Sequence, residues 1–178
     1  MRKLSTSELN RLSITDYKTF EKIPVVIVLD NIRSMHNTGS IFRTADAFCI
    51  EEIHLCGLTA TPPHREIQKT ALGATESVNW KYFAEPVDSI RILASEGYTI
   101  IAVEQAENSI LLQNFSIDNI SRIALVFGNE INGVSDGVME IIDKCIEIPQ
   151  FGTKHSFNVS ISAGIVLWHI SCLFHNKI

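Results

Sequence analysis

Pro24-Val-Val-Ile-Val-Leu-Asp30 holds five consecutive apolar residues, four of them β-branched, closed by a carboxylate. A strand with one wet face alternates apolar and polar side chains, whereas an unbroken apolar run is a strand buried on both faces. Such strands belong to parallel sheets covered by helices. The polar loop Asn31–Ser40 follows, and then Ile41, Phe42, Ala45 and Phe48 recur at helical spacing. Outward from this unit the alternation continues. Ile53–Cys56 reads as a strand, Arg65–Ala71 as a helix ending near Gly73, and Val78–Phe83 as a strand. Pro86 opens a helix at the position where a missing N–H costs nothing, and Gly97 closes it. Tyr98–Val103 and Arg122–Phe127 are two more buried strands, Ser135 starts a short helix to Ile142, and Cys145–Ile148 is the last strand. The prediction is a single α/β domain with a mainly parallel sheet flanked by helices, spanning 23–178 and preceded by a helical arm over 1–22.

Composition bounds what this domain can do. With 46% apolar residues in 178, the chain buries a sizeable core in one domain. The net charge of −5 gives no global field for nucleic acid, so any RNA contact rests on local basic residues. Cys49, Cys56, Cys145 and Cys172 form no C-x-x-C pair, and the start carries no signal-peptide pattern, which together predict reduced thiols in the cytoplasm. The six histidines make no H-E-x-x-H, so no metal is expected. Phe157–Phe174 lacks charge but contains Asn158, Ser160, Ser162, His169 and Ser171, which fits a helix buried in a core or subunit interface rather than a membrane span.

In open α/β sheets ligands bind beyond the carboxyl ends of the strands, which directs attention to the loops after Asp30, Val103, Phe127 and Ile148. In the first loop, Asn37 caps a helix that carries Arg43 one to two turns further on. Either this is an ordinary cap with a surface arginine, or an Asn and an Arg held rigidly at a strand mouth. Glu104 and Gln105 follow a buried strand and either start a solvated loop or meet ligand hydroxyls. Gly128-Asn-Glu-Ile-Asn-Gly133 has the glycines of a phosphate loop without its Lys-Ser/Thr ending, which argues against a nucleoside triphosphate. In Ile148-Pro-Gln-Phe-Gly-Thr-Lys-His-Ser-Phe-Asn-Val-Ser160 a loop passes into an apolar helix, where polar side chains cap the free N–H groups.

Taken in order, Asn31–Phe48 (N-x-x-x-x-x-N-T-G-S-I-F-R-T-A-D-A-F), Leu125–Gly133 and Ile148–Ser160 resemble the three motifs of the SpoU (TrmH-like) branch of the SPOUT superfamily of RNA ribose 2′-O-methyltransferases. The resemblance covers about residues 24–175. It implies a C-terminal deep trefoil knot, an exception to the rule against threaded chains. It also implies S-adenosylmethionine as cofactor, and a homodimer packed through the C-terminal helix, with an active site drawing on both subunits. Carried over by position, Arg43, Asn37, Glu130, Ser156 and Asn158 form the catalytic set, and Glu104, Gly128, Ile148 and Phe157 the cofactor wall. Phe157 stands where many relatives have leucine, and Gln150 where methionine is frequent. The implied substrate is a ribose 2′-OH of tRNA or rRNA, reached by Arg2, Lys3, Arg11, Arg33, Arg65, Lys69 and Lys154. Only about twenty residues precede the first strand, too few for the extra RNA-binding domain of many relatives. The role of Arg43 stays open between proton acceptor and phosphate clamp. The alternative function is a catalytically inactive knotted RNA-binding protein.

Overall fold

The computed structural model describes residues 1–175; the last three residues of the expected domain, 176–178, lie outside them. In chain order the elements are α1 (Ile14–Thr19), β1 (Ile23–Asp30), α2 (Met35–Ala47), β2 (Ile50–Cys56), α3 (Arg65–Ala71), α4 (Ala74–Ser77) and β3 (Asn79–Phe83). They continue as α5 (Pro86–Ser95), β4 (Thr99–Val103), β5 (Ile110–Leu111), β6 (Ile123–Phe127), α6 (Asp136–Met139), β7 (Lys144–Glu147) and α7 (Val159–His175). The seven strands form one sheet in the order β3-β2-β1-β6-β4-β7-β5, and every pairing is parallel. That is the predicted α/β class.

β1 lies inside this sheet because its sequence has no polar face to spare. Val25, Ile27 and Leu29 point into the core beneath α2, α3 and α7, while Val26 and Val28 point into a second core formed with α5 and α6. Each of these side chains is at most 1% exposed. Burial of that kind contributes roughly 1.5–3 kcal/mol per large aliphatic side chain. β6, with Ile123–Phe127 buried throughout, pairs beside it in register from Val25↔Ile123 to Leu29↔Phe127. The carboxyl ends of both strands therefore sit side by side.

Three details depart from the sequence reading. The cap of α2 is Ser34, whose Oγ accepts from the Asn37 N–H at 3.2 Å, so Asn37 lies inside the first turn. The turn starts earlier because the loop of residues 31–34 is itself held from outside, as described below. The helix after Ser135 ends at Met139, and Ser135 makes no side-chain cap. β5, two residues at the sheet edge, carries too short a pattern to be seen by alternation. The region before β1 consists of a 3-10 turn at Thr6–Leu9 and the short α1. It is pinned by Tyr17, which is 4% exposed and donates its hydroxyl to the Ala45 carbonyl at 3.5 Å, with the Lys22 ammonium over its ring.

Gly39 explains how α2 sits so close to α3. A Cβ at this position would overlap the Ile67 carbonyl oxygen and the Thr70 hydroxyl. The partner in this close approach is thus a neighbouring helix. No helix among the described residues is long and apolar enough to cross a membrane.

Candidate active site

At the carboxyl ends of β4, β6 and β7 lies a cavity of about 520 Å³. Its wall includes Val103, Glu104, Phe127, Gly128, Glu130, Glu147, Ile148, Ser156, Phe157 and Asn158. All four cofactor positions read from the sequence thus line one space, together with Glu130, Ser156 and Asn158. Three carboxylates (Glu104, Glu130, Glu147) line it, and among the described residues no lysine or arginine does. Such a lining repels phosphate and suits a ligand that is cationic, bears hydroxyls and has a flat apolar part to set against Phe127, Ile148 and Phe157. The volume falls in the ordinary range for a small organic molecule.

The loop after β6 is shaped by contacts that leave little freedom. Asn129 and Gly133 exchange backbone hydrogen bonds of 2.9 Å each way, closing a tight turn. The Asn129 side chain accepts from the N–H groups of Ile131 and Asn132 and donates to the Asn31 carbonyl at 2.6 Å. Gly128 has no room for a side chain, because a Cβ would run into the backbone at Gly133 and Val134. Asp30, 1% exposed at the end of β1, accepts from the Ser135 N–H and the Asn31 amide at 2.7 Å each. Glu104 accepts from Val134 N at 3.2 Å and Gln105 N at 2.8 Å, so its carboxylate is fixed against the same turn. Sequence reasoning missed Asp30 and Asn129 as positioning residues. A carboxylate ending a fully apolar strand was the available sign for the first.

Glu130 joins this turn to α2. Its two oxygens accept from Arg33 N at 3.0 Å, Ser34 N at 3.1 Å and the Asn37 Nδ2 amide at 3.1 Å. Burial pushes its carboxyl up, but donors from the Arg33, Glu130 and Ser34 backbone and the Asn37 side chain outweigh that and hold it below the usual carboxylate range. It therefore stays ionised and acts as an anchor. Asn37 is gripped from the other side as well, since its Oδ1 accepts from Asn158 Nδ2 at 3.1 Å. Asn158 in turn caps α7, its Oδ1 accepting from the N–H and hydroxyl of Ser160 at 2.8 and 2.6 Å. Gln105 ties the loop of residues 150–157 to the end of β4 by donating to the His155 carbonyl at 2.7 Å.

Asn37, Glu130 and Asn158 thus form one hydrogen-bonded junction at the rim of the cavity. Ser156 lines the cavity and its hydroxyl makes no hydrogen bond to another described residue. Arg43 stands apart. It lies six residues beyond Asn37 on α2, about 9 Å along the axis, and does not line the cavity. Its side chain is exposed and makes no ion pair or hydrogen bond within the described chain.

A model of the SpoU rRNA methylase family matches residues 24–168, which takes in all three motifs and the whole cavity. The chain belongs to this family. Relatives of this SpoU-family chain include the tRNA (guanosine(18)-2′-O)-methyltransferase of Aquifex aeolicus, 32% identical over 81% of this chain and 67% of that protein. The 23S rRNA (guanosine-2′-O-)-methyltransferase RlmB of Neisseria meningitidis is 35% identical over 81% of this chain and 56% of its own length. The SpoU-family chain therefore spans between 56% and 67% of the length of these two relatives. Among solved structures, the AdoMet-bound rRNA methyltransferase from Sinorhizobium meliloti superposes with a TM-score of 0.78 at 26% identity, over 86% of this chain and 59% of that one.

Proposed function

We propose that this protein is an S-adenosylmethionine-dependent methyltransferase acting on a ribose 2′-hydroxyl of tRNA or rRNA. The observation that carries the reading is the Asn37–Glu130–Asn158 junction set on the rim of an acidic cavity. Relatives named for ribose methylation of both RNA classes, and a neighbour with AdoMet bound, support it.

The lining suits this cofactor. Ile148 and Phe157 offer apolar surface to an adenine, Gly128 offers backbone, and Glu104 offers a carboxylate for ribose hydroxyls. When bound, S-adenosylmethionine supplies an electrophilic methyl carried on a positive sulfonium, a charge that the three cavity carboxylates favour. This chain's own residues then have to hold the acceptor. Ser156 and the two asparagine amides orient the 2′-hydroxyl, and Glu130 acts by fixing Asn37 rather than by taking a proton. Arg43 grips a phosphate of the RNA, since an exposed guanidinium without a partner matches phosphate oxygens bidentately. The hydroxyl proton would pass to water as the 2′-oxygen takes the methyl group and the C–S bond breaks, leaving a neutral thioether.

The assembly we propose is a homodimer. α7 turns Ala163, Val166, Leu167 and Ile170 into its own core yet leaves Ile161 55% and Trp168 60% exposed on the outer side, with Ile165 half-buried between them. These residues follow a spacing of four and three, the seam expected of a helix that packs on a second one. We further assign residues 1–22 to an arm contacting RNA, 23–178 to the methyltransferase domain with its C-terminal trefoil knot, and the protein to the cytoplasm, where its RNA is found. The inactive RNA-binding alternative is disfavoured by the retention of Arg43, Asn37, Glu130, Ser156 and Asn158 together.

The test is methyl transfer from labelled cofactor into bulk tRNA and, separately, rRNA, each from cells lacking this protein, followed by digestion to nucleosides. A labelled 2′-O-methylnucleoside is expected. The Arg43→Ala protein should lose transfer while cofactor affinity stays near wild type; unchanged turnover would remove Arg43 from the mechanism.

A further inference from the structure

A second cavity, about 460 Å³, opens beyond the carboxyl end of β2 and beside β3, and is lined by Gly57, Thr59, Ala60, Thr61, Trp80 and Tyr82. β3 is the edge strand of the sheet, and Trp80 and Tyr82 are two residues apart on it, so both rings stand on the same face. Tyr82 is 51% exposed and the neighbouring Leu58 74% exposed. No acidic residue lines this space. Its lining is thus uncharged, unlike that of the first cavity, and carries two aromatic rings.

The cavity is firmly built. Tyr82 donates its hydroxyl to the Gly57 carbonyl at 3.1 Å, which holds the ring against the loop after β2. Leu58 N donates to Asn31 Oδ1 at 3.0 Å, and Thr59, 2% exposed, bridges the Leu29 carbonyl and the Ile32 N–H at 3.0 and 2.9 Å. The floor is therefore attached to the loop of residues 31–34, the segment whose Arg33 and Ser34 amides bind Glu130. Arg33, next to Ile32, and Arg65, four residues after Thr61 at the start of α3, are exposed, and neither guanidinium has a partner within the described chain. In the strand order β3-β2-β1-β6, three steps of about 4.8 Å separate the two places, roughly 14 Å. A strand of RNA with its ribose at Asn37 and Ser156 can cover that gap.

We propose that the cavity at β2 and β3 is a stacking subsite for a nucleobase flanking the methylated nucleotide, with Arg33 and Arg65 on the adjoining phosphates. Unstacked RNA bases are recognised on aromatic faces, with cationic side chains along the backbone. In a chain of net charge −5, an uncharged aromatic recess beside two unpaired arginines is a local feature that fits this ligand. The proposal rests on the RNA reading given above.

The experiment is equilibrium binding and steady-state methylation of whichever unmodified bulk RNA, tRNA or rRNA, accepts label from the wild-type protein. Tyr82→Ala should raise Kd and KM for that RNA about tenfold, the loss expected of one stacked base, with kcat at saturating RNA and cofactor affinity near wild type. Tyr82→Phe should restore binding. Arg65→Ala, a surface change, should lower the slope of log affinity against log salt by about 0.7, which a merely structural role would not do. RNA affinity within twofold of wild type in Tyr82→Ala, from a protein that still methylates RNA, overturns the subsite and leaves the methyltransferase reading standing. Equal loss in Tyr82→Phe would assign the effect to the Gly57 hydrogen bond and also overturn stacking. A wild-type protein that neither binds nor methylates either RNA overturns both.

Discussion

Asn158 has two tasks carried by two different atoms. Its Oδ1 caps α7 and its Nδ2 holds Asn37. Replacement by aspartate separates them, because a carboxylate still accepts from Ser160 N but has no hydrogen to give to Asn37. We expect Asn158→Asp to unfold near the wild-type temperature, since Asp and Asn cap about equally well. Methyl transfer should nevertheless fall by at least tenfold, because the Asn37 carboxamide loses a donor worth about 1 kcal/mol or more and gains a negative neighbour. Thermal melts paired with single-turnover rates read out the two halves. A fall in stability without a fall in rate would mean that the cap alone matters. The residue types of this junction were legible in the sequence, whereas its wiring was not. Glu130, Asn37 and Asn158 are 93 and 121 positions apart, and no spacing rule connects them.

At the level of elements, the contact between α2 and α3 depends on one missing methyl group. Gly39→Ala would ordinarily favour a helix by about 1 kcal/mol. Here the new Cβ meets the Ile67 carbonyl and Thr70 Oγ, and the carbonyl belongs to backbone that cannot turn aside. Overpacking of this kind costs typically 1–3 kcal/mol, so net destabilisation is expected, read as a lower urea midpoint. A midpoint at or above wild type would show that α3 can slide away freely. Strands and long helices were readable because their periodicity is a property of neighbouring residues, as the runs at β1 and β6 illustrate. The start of α2 was not, since Ser34 and Asn37 are both good caps on local chemistry. What selects Ser34 is Glu130 holding the preceding amides, a fact of tertiary structure.

For the molecule as a whole, the proposed assembly rests on the outer side of α7. Trp168→Glu would place a charge in the centre of the proposed seam and should convert a dimer into a monomer in sedimentation velocity, with the far-ultraviolet spectrum unchanged because the residue is already 60% exposed. An unchanged sedimentation coefficient would move the interface elsewhere. The sequence had marked this helix as apolar on nearly all sides. Only the fold separates the side that serves the core from the side that is left over.

The junction between α2, the loop after β6 and the first turn of α7 also has a meaning in time. At about 5–20 residues per second of synthesis, roughly 6–24 s separate the appearance of Asn37 from that of Asn158, which must meet it. Until then Glu130 can already hold the amides of Arg33 and Ser34 and the Asn37 Nδ2, but the Asn37 Oδ1 lacks its donor from the start of α7. The junction is thus complete only after the first turn of α7 has been made, and the proposed site cannot exist in a nascent chain before that point.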